Sequence, residues 1–241
     1  MAVVMLAFTS CNSWNNASNT TKGAVIGTTG GAAGGAALGA IIGAIAGNAG
    51  LGAAIGAGAG TIAGATAGTL IGKKMDKAKK AAEEALAQEQ VKVETTTDAN
   101  GLEAIKITIE GGVLFASGKA QLNTTAMENL NKFANKVLKQ YTDCNVAVQG
   151  YSDSDQWKGK SAEESQAANL ALSQSRADAV KNYFLTCGVN ATQITQSQGF
   201  GQTNLITDAS GKEDKTASRR VEIYLYASQA MIEAANNGTL Q

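Results

Sequence analysis

Two short stretches carry the residues best placed for chemistry: Gly150-Tyr151-Ser152-Asp153, and Asn169-Leu170-Ala171-Leu172-Ser173-Gln174-Ser175-Arg176-Ala177. Val146 and Val148 alternate into Gly150 and then Asp153, which predicts a strand ending in a loop. The helix carrying Arg176 returns across the sheet, so a carboxylate and a guanidinium reach one edge of a small domain. Opposite charges with no histidine or nucleophile beside them hold a zwitterion better than they break a bond. On these residues alone the pair serves equally as a ligand clamp or as an internal salt bridge tying loop to helix.

The chain has no histidine, which removes the commonest general base and metal ligand and excludes a histidine triad or histidine-ligated zinc. Lys plus Arg and Asp plus Glu balance at 20 each, so there is no basic field for nucleic acid. The three cysteines, Cys11, Cys144 and Cys187, form no CxxC pair and predict neither a thiolate zinc site nor a thioredoxin-type dithiol. No cofactor is called for.

The elements that must position the two stretches occupy the second half. Alternating Val91 and Val93, then Ile105, Ile107 and Ile109, flank Asp98-Ala99-Asn100-Gly101, which predicts a hairpin over 91–97 and 102–110. Val113 to Phe115 extends that strand region. Thr124 or Thr125 caps a helix whose Met127, Leu130, Phe133, Ala134, Val137 and Leu138 follow the 3.6 period. Strands are predicted over 145–149, 193–199 and 219–226, with a helix over 169–186. The fold class is α+β: a βαβαββ sandwich with a mixed sheet, preceded by a β-hairpin.

The first third is a different object. Residues 23–72 hold no charge, and 17 of the 50 are glycine. From Gly23 to Gly47 and again from Gly52 to Gly72 the glycines recur every fourth residue. Such a series lines a helix with a groove for close backbone approach and predicts a helical hairpin turning at 48–51, with arms about 37 and 31 Å long. A hydrocarbon core of about 30 Å is within that reach. The alanine and threonine between the glycines give only a modest drive to insert, so a packed or oligomeric hairpin and a Gly/Ala linker remain open. Residues 73–90, rich in helix formers and mixed charge, predict a solvated helical spacer. Residues 227–241 form a tail with a short helix of no evident function.

Five ordered motifs carry a resemblance: Phe115 to Leu122, Gly150 to Asp153, Asn169-x-x-Leu172-Ser173-x-x-Arg176-Ala177, Gly199-Phe200-Gly201, and Arg219-Arg220-Val221-Glu222. Together, over 113–226, they closely resemble the OmpA-like peptidoglycan-binding domain. The resemblance implies non-catalytic binding of peptidoglycan through meso-diaminopimelate of the stem peptide. By motif, Asp153 would take the ammonium and Arg176 the carboxylate. Asn169 would position the loop or ligand, Leu172 would form an apolar wall, Ser117 and Gly118 would supply backbone groups, and Arg220 would support the site or sheet. Hydrolysis of the wall, with Asp153 and Asp155 as paired carboxylates, is the minor enzymatic reading.

Residues 1–10, apolar and then small before Cys11, look like the later part of a bacterial lipoprotein signal, with 12–22 as a polar tether. With the glycine segment, the whole chain resembles the YiaD type of outer-membrane lipoprotein. The resemblance implies lipidation at Cys11, an outer-membrane anchor and a periplasmic C-terminal domain that ties the membrane to the wall. The alternative is a glycine-zipper oligomer, a pore or assembly platform localised by peptidoglycan. A Cys144–Cys187 disulfide is expected, because the two ends of a βα unit can lie close together in an oxidising compartment.

Three departures from the family pattern stand out. The segment 154–168 is long and brings Asp155 and Trp157 near the site, Trp157 either stacking on a sugar or packing on its own loop. Ser218 replaces the usual asparagine before the two arginines, and Leu205 stands where a proline is common.

Overall fold

The computed structural model describes residues 65–87, 91–98 and 102–240. Cys11, the signal-like residues 1–10, the tether 12–22 and the glycine series as far as 64 lie outside the described residues, as does the 99–101 turn. The described elements run α1 (Ala65–Leu86), β1 (Val91–Thr97), β2 (Glu103–Glu110), α2 (Gly111–Leu114), α3 (Thr124–Phe133), β3 (Cys144–Gly150), α4 (Ala162–Thr186), β4 (Ile194–Gly199), α5 (Lys215–Ser218), β5 (Arg220–Ala227) and α6 (Gln229–Asn236).

The five strands form one mixed sheet in the order β1-β2-β5-β3-β4. The β1–β2 hairpin pairs Val93 with Ile107, β5 pairs antiparallel with both β2 and β3, and β3 runs parallel to β4. The period of two sorts the side chains. Ile105, Ile107, Ile109, Val146, Val148, Val221, Ile223 and Leu225 all join the main core, against the helices. Ala104, Ala147, Tyr224 and Tyr226 form a smaller cluster of their own. The expected α+β fold with a mixed sheet is therefore borne out, and the strands fall where alternation predicts them.

The charged spacer is solvated on one face only. Ala67, Ile71, Met75, Ala78, Ala82 and Leu86 recur every three or four residues along α1 and are buried in the main core. Burying a side chain such as Ile71 or Met75 stabilises by roughly 1.5–3 kcal/mol, which outweighs the weak propensities of a glycine-containing first turn. The helix thus belongs to the domain, and the boundary drawn at residue 72 falls inside it. Gly68 and Gly72 host no close backbone contact here: a Cβ at Gly68 would meet open space, and one at Gly72 only Glu103 Oε2 at 3.6 Å. Among the described residues no helix is long and apolar enough to cross a membrane. The C-terminal helix is likewise core, through Met231, Ile232 and Ala235.

Other boundaries move for local reasons. Residues 111–114 turn as a helix instead of extending β2, because the Gly111 N–H donates to the Arg219 carbonyl and the Phe115 N–H closes the turn on Gly111. Asn123, not a threonine, caps α3 by accepting from the Ala126 N–H. Helix α4 starts seven residues before Asn169, at Ala162, where Ser161 and Glu164 form a reciprocal capping box. Part of the long 154–168 segment is therefore an extension of the functional helix.

Cys144 and Cys187 are free thiols, contrary to the expected disulfide. Each is held in a different neighbourhood. Cys144 is buried at the start of β3 next to Asp143 and Lys74, which pair with each other at 2.6 Å. Cys187 closes α4, half-buried, beside Tyr183, with its carbonyl accepting from Lys139 Nζ at 3.2 Å.

Candidate functional site

The site forms where β3 and β4 end beneath α4, and two glycines make that meeting possible. A Cβ at Gly150 would lie 2.1 Å from the Ser173 carbonyl oxygen, and one at Gly199 would lie 2.1 Å from the Gln174 nitrogen. Without side chains there, the α4 backbone rests directly on the strand ends, and the turn of helix carrying Asn169, Leu172 and Arg176 comes over the loop after β3. That loop is fixed from both sides: the Tyr151 N–H donates to the Arg220 carbonyl and the Ser152 N–H to the Gly201 carbonyl, each at 2.9 Å.

Asp153, Arg176, Asn169, Leu172, Ser117 and Gly118 all line one cleft of about 470 Å³, together with Gly111, Phe115, Asp155, Trp157 and Arg219. Six of the seven ligand-binding residues expected from sequence therefore share a cleft. Arg220 does not. It is buried, donates from Nε to Glu222 at 2.8 Å and from Nη1 to the carbonyls of Asn204 and Ser218, and lies over the Tyr151 ring at 3.9 Å. Its role is to hold the 200–219 loop and the sheet.

The residue missed is Arg219. Its guanidinium pairs with Asp153 Oδ2 and reaches Asp155 at 3.9 Å. Parity was the available signal. Val221, Ile223 and Leu225 face the helices, so continuing their alternation one residue before β5 puts Arg219 on their side, and Arg220 falls on the other. The close approach of Gly111 to the Arg219 carbonyl, where a Cβ would be only 2.9 Å away, fixes this arginine at the cleft.

Arg176 lies deeper. Its Nε donates to the Lys119 carbonyl at 3.0 Å, and its guanidinium stacks over Phe115 at 5.2 Å. Burial pulls its pKa down, Asp153 opposes that, and repulsion from Arg219 adds to it. Arginine stays protonated through such shifts, so the cleft keeps a buried cation with Nη donors to spare for an anion. Asn169 organises the rim. Its Nδ2 donates to the carbonyls of Asp153 and Asp155 and to Gln202 Oε1, at 3.1–3.3 Å, and its Oδ1 accepts from Trp157 Nε1 at 2.7 Å. Asp155 pairs with Lys215, whose hydrogen bond holds the carboxyl below its usual range. Ser154 binds Glu213 on the same facing loop. Counting Asp155 against Lys215, the cleft has two arginines to one remaining carboxylate.

Residues 114–219 match the OmpA family model. The chain carries an OmpA family domain. The OmpA family match takes in every cleft residue from Phe115 to Arg219 and leaves out Gly111 and Gly112. Outer membrane protein P5 of Haemophilus influenzae is 36% identical over 131 residues, 54% of this chain and 34% of P5. The probable lipoprotein YiaD of Escherichia coli is 37% identical over 121 residues, 50% of this chain and 51% of YiaD. The likeness thus spans a third to a half of those relatives. A putative MotB-like protein from Desulfovibrio vulgaris superposes with a TM-score of 0.53 at 18% identity, over 67% of this chain and 99% of that one. At that identity it speaks for the fold of the OmpA family domain alone.

Proposed function

We propose that the OmpA family domain binds peptidoglycan without cleaving it, gripping the free zwitterionic end of diaminopimelate in the stem peptide. The observation that carries this reading is the convergence of Asp153, Arg176, Arg219 and Asn169 on one cleft. Asp153 accepts from the ligand ammonium. Arg176 and Arg219 donate to the carboxylate, and Asn169 holds the Asp153 loop in place. One carboxylate for one ammonium and two guanidinium groups for one carboxylate match such an end, and each charge-assisted bond contributes on the order of 1.5–3 kcal/mol.

The ligand ammonium competes with Arg219 for Asp153, so binding exchanges an internal ion pair for two external ones. Relatives named as an outer membrane protein and a probable lipoprotein support an envelope setting. In this reading Cys11 carries the lipid anchor in the outer membrane, and the domain works in the periplasm.

The test is co-sedimentation with purified diaminopimelate-type sacculi. Asp153→Ala is expected to weaken retention tenfold or more, with an unchanged far-ultraviolet circular dichroism spectrum. Retention equal to the unsubstituted chain would overturn the proposal.

A further inference from the structure

The zwitterion clamp uses only part of the cleft. At about 470 Å³ it lies within the range that encloses a whole small-molecule ligand, roughly 300–1,000 Å³, and so has room beyond one amino-acid end. The part bordered by Trp157 and Gln156 carries no charge that the clamp needs.

Trp157 is oriented from two directions. Its backbone N–H donates to Ser165 Oγ at 3.0 Å, and its indole Nε1 donates to Asn169 Oδ1 at 2.7 Å. The residue is only half-buried, and it lines the cleft beside Leu172 and Gln156. Among the described residues the stacked or tilted aromatic pairs are Phe133 with Phe184 and Tyr151 with Phe200, neither of which includes Trp157. An indole whose polar edge is already satisfied, held half-exposed in a polar cleft, offers an apolar face to a ligand that is apolar on one side and hydroxylated at its rim. A pyranose has that character. Gln156 Nε2 is taken by the Lys160 carbonyl at 3.0 Å, which leaves its Oε1 to accept from a sugar hydroxyl.

Resting on the diaminopimelate reading, we propose that Trp157 forms a sugar subsite, stacking on a pyranose of the glycan that carries the stem peptide. Asn169 joins the two subsites, because one amide holds the Asp153 carbonyl through Nδ2 and the indole through Oδ1. The two subsites therefore adjoin across one amide, whose three Nδ2 hydrogen bonds keep the Asp153 loop in place independently of the indole.

The experiment is calorimetric titration of the full chain with two probes, a diaminopimelate tripeptide and the same tripeptide bearing its disaccharide. The disaccharide form is expected to bind on the order of three- to tenfold more tightly, the scale of one good aromatic contact. Trp157→Ala should abolish that gain while leaving tripeptide affinity within about twofold, and Trp157→Phe, which keeps a ring and loses Nε1, should retain most of it. Equal affinities for the two probes in the unsubstituted chain overturn the subsite, as does an unchanged ratio in Trp157→Ala. An equal loss for both probes in Trp157→Ala also overturns it, since the residue would then act as a prop for Asn169. Failure to bind either probe sinks the diaminopimelate reading itself.

Discussion

Asp153 makes its ion pair with Arg219, 66 residues further along the chain, while Arg176 hydrogen-bonds to the carbonyl of Lys119. The cleft thus has an exchangeable cation at its rim and a fixed one at its floor. Arg219 is the side chain with freedom to change partner, being 41% exposed against 9% for Asp153.

That division predicts separate outcomes for the two arginines. Arg219→Ala should lower stability by less than about 1 kcal/mol, because the guanidinium it removes is solvent-screened and Arg176 still faces the Asp153 carboxylate left behind, yet it should weaken binding of a diaminopimelate peptide about tenfold through the lost carboxylate contact. Arg176→Ala removes a buried cation together with its contacts to Lys119 and Phe115, so both stability and binding should fall. Urea denaturation beside calorimetric titration separates the two. A stability loss at Arg219 equal to that at Arg176 would contradict the assignment.

The glycines under α4 give a sharper structural test. Gly150→Ala and Gly199→Ala each place a Cβ 2.1 Å from helix backbone, which no rotamer change relieves. Each should cost more than about 3 kcal/mol or prevent folding, since overpacking against rigid backbone lies at the upper end of such penalties. Gly112→Ala, where a Cβ meets open space, serves as the control and should be within about 0.5 kcal/mol of the parent. Denaturant midpoints read all three.

What was legible in the sequence was whatever a local period could encode. Ile105, Ile107 and Ile109, or Val221, Ile223 and Leu225, repeat every second residue, and their strands lie where that period puts them. Asp153, Asn169, Leu172 and Arg176 belong to motifs long enough to recognise, and they share the cleft. Helix α1 was misread because four of its buried stripe residues are alanine or sit among lysines, so the apolar signal is faint although the stripe is continuous. Arg219 and Arg220 are adjacent and chemically identical. Only the facing of β5 tells the cleft arginine from the structural one. The Arg219–Asp153 pairing is a product of the sheet order β5-β3, which brings together strand ends far apart in the chain, and no local spacing announces it.

The misread helix supplies its own prediction. If α1 were a spacer, Ile71→Ala would be silent. Because Ile71 and Met75 are fully buried in the main core, Ile71→Ala and Met75→Ala should each destabilise the domain by about 2–5 kcal/mol. Lys77→Ala on the exposed face of α1 should fall within about 0.5 kcal/mol. Thermal unfolding followed at 222 nm checks the contrast, and equal melting temperatures for Ile71→Ala and Lys77→Ala would return α1 to the role of a spacer.

The two thiols should differ in reactivity and remain unlinked. Burial pushes the Cys144 thiol up to about 12, with Asp143 adding to the rise and Lys74 opposing it. An ordinary thiol titrates near 8.5, so at pH 8 buried Cys144 is far less ionised than an ordinary cysteine. Cys187 is also raised, first by burial, but the Tyr183 hydrogen bond and Lys139 pull the other way, and its side chain is only partly covered. A pulse of iodoacetamide at pH 8 should therefore label Cys187 well before Cys144, and denaturant should bring the two rates together. Non-reducing peptide mapping should find no Cys144–Cys187 cross-link, and reduction should leave the melting temperature unchanged. A cross-linked peptide recovered from the oxidised native protein would show instead that the β3 start and the α4 end come within disulfide reach.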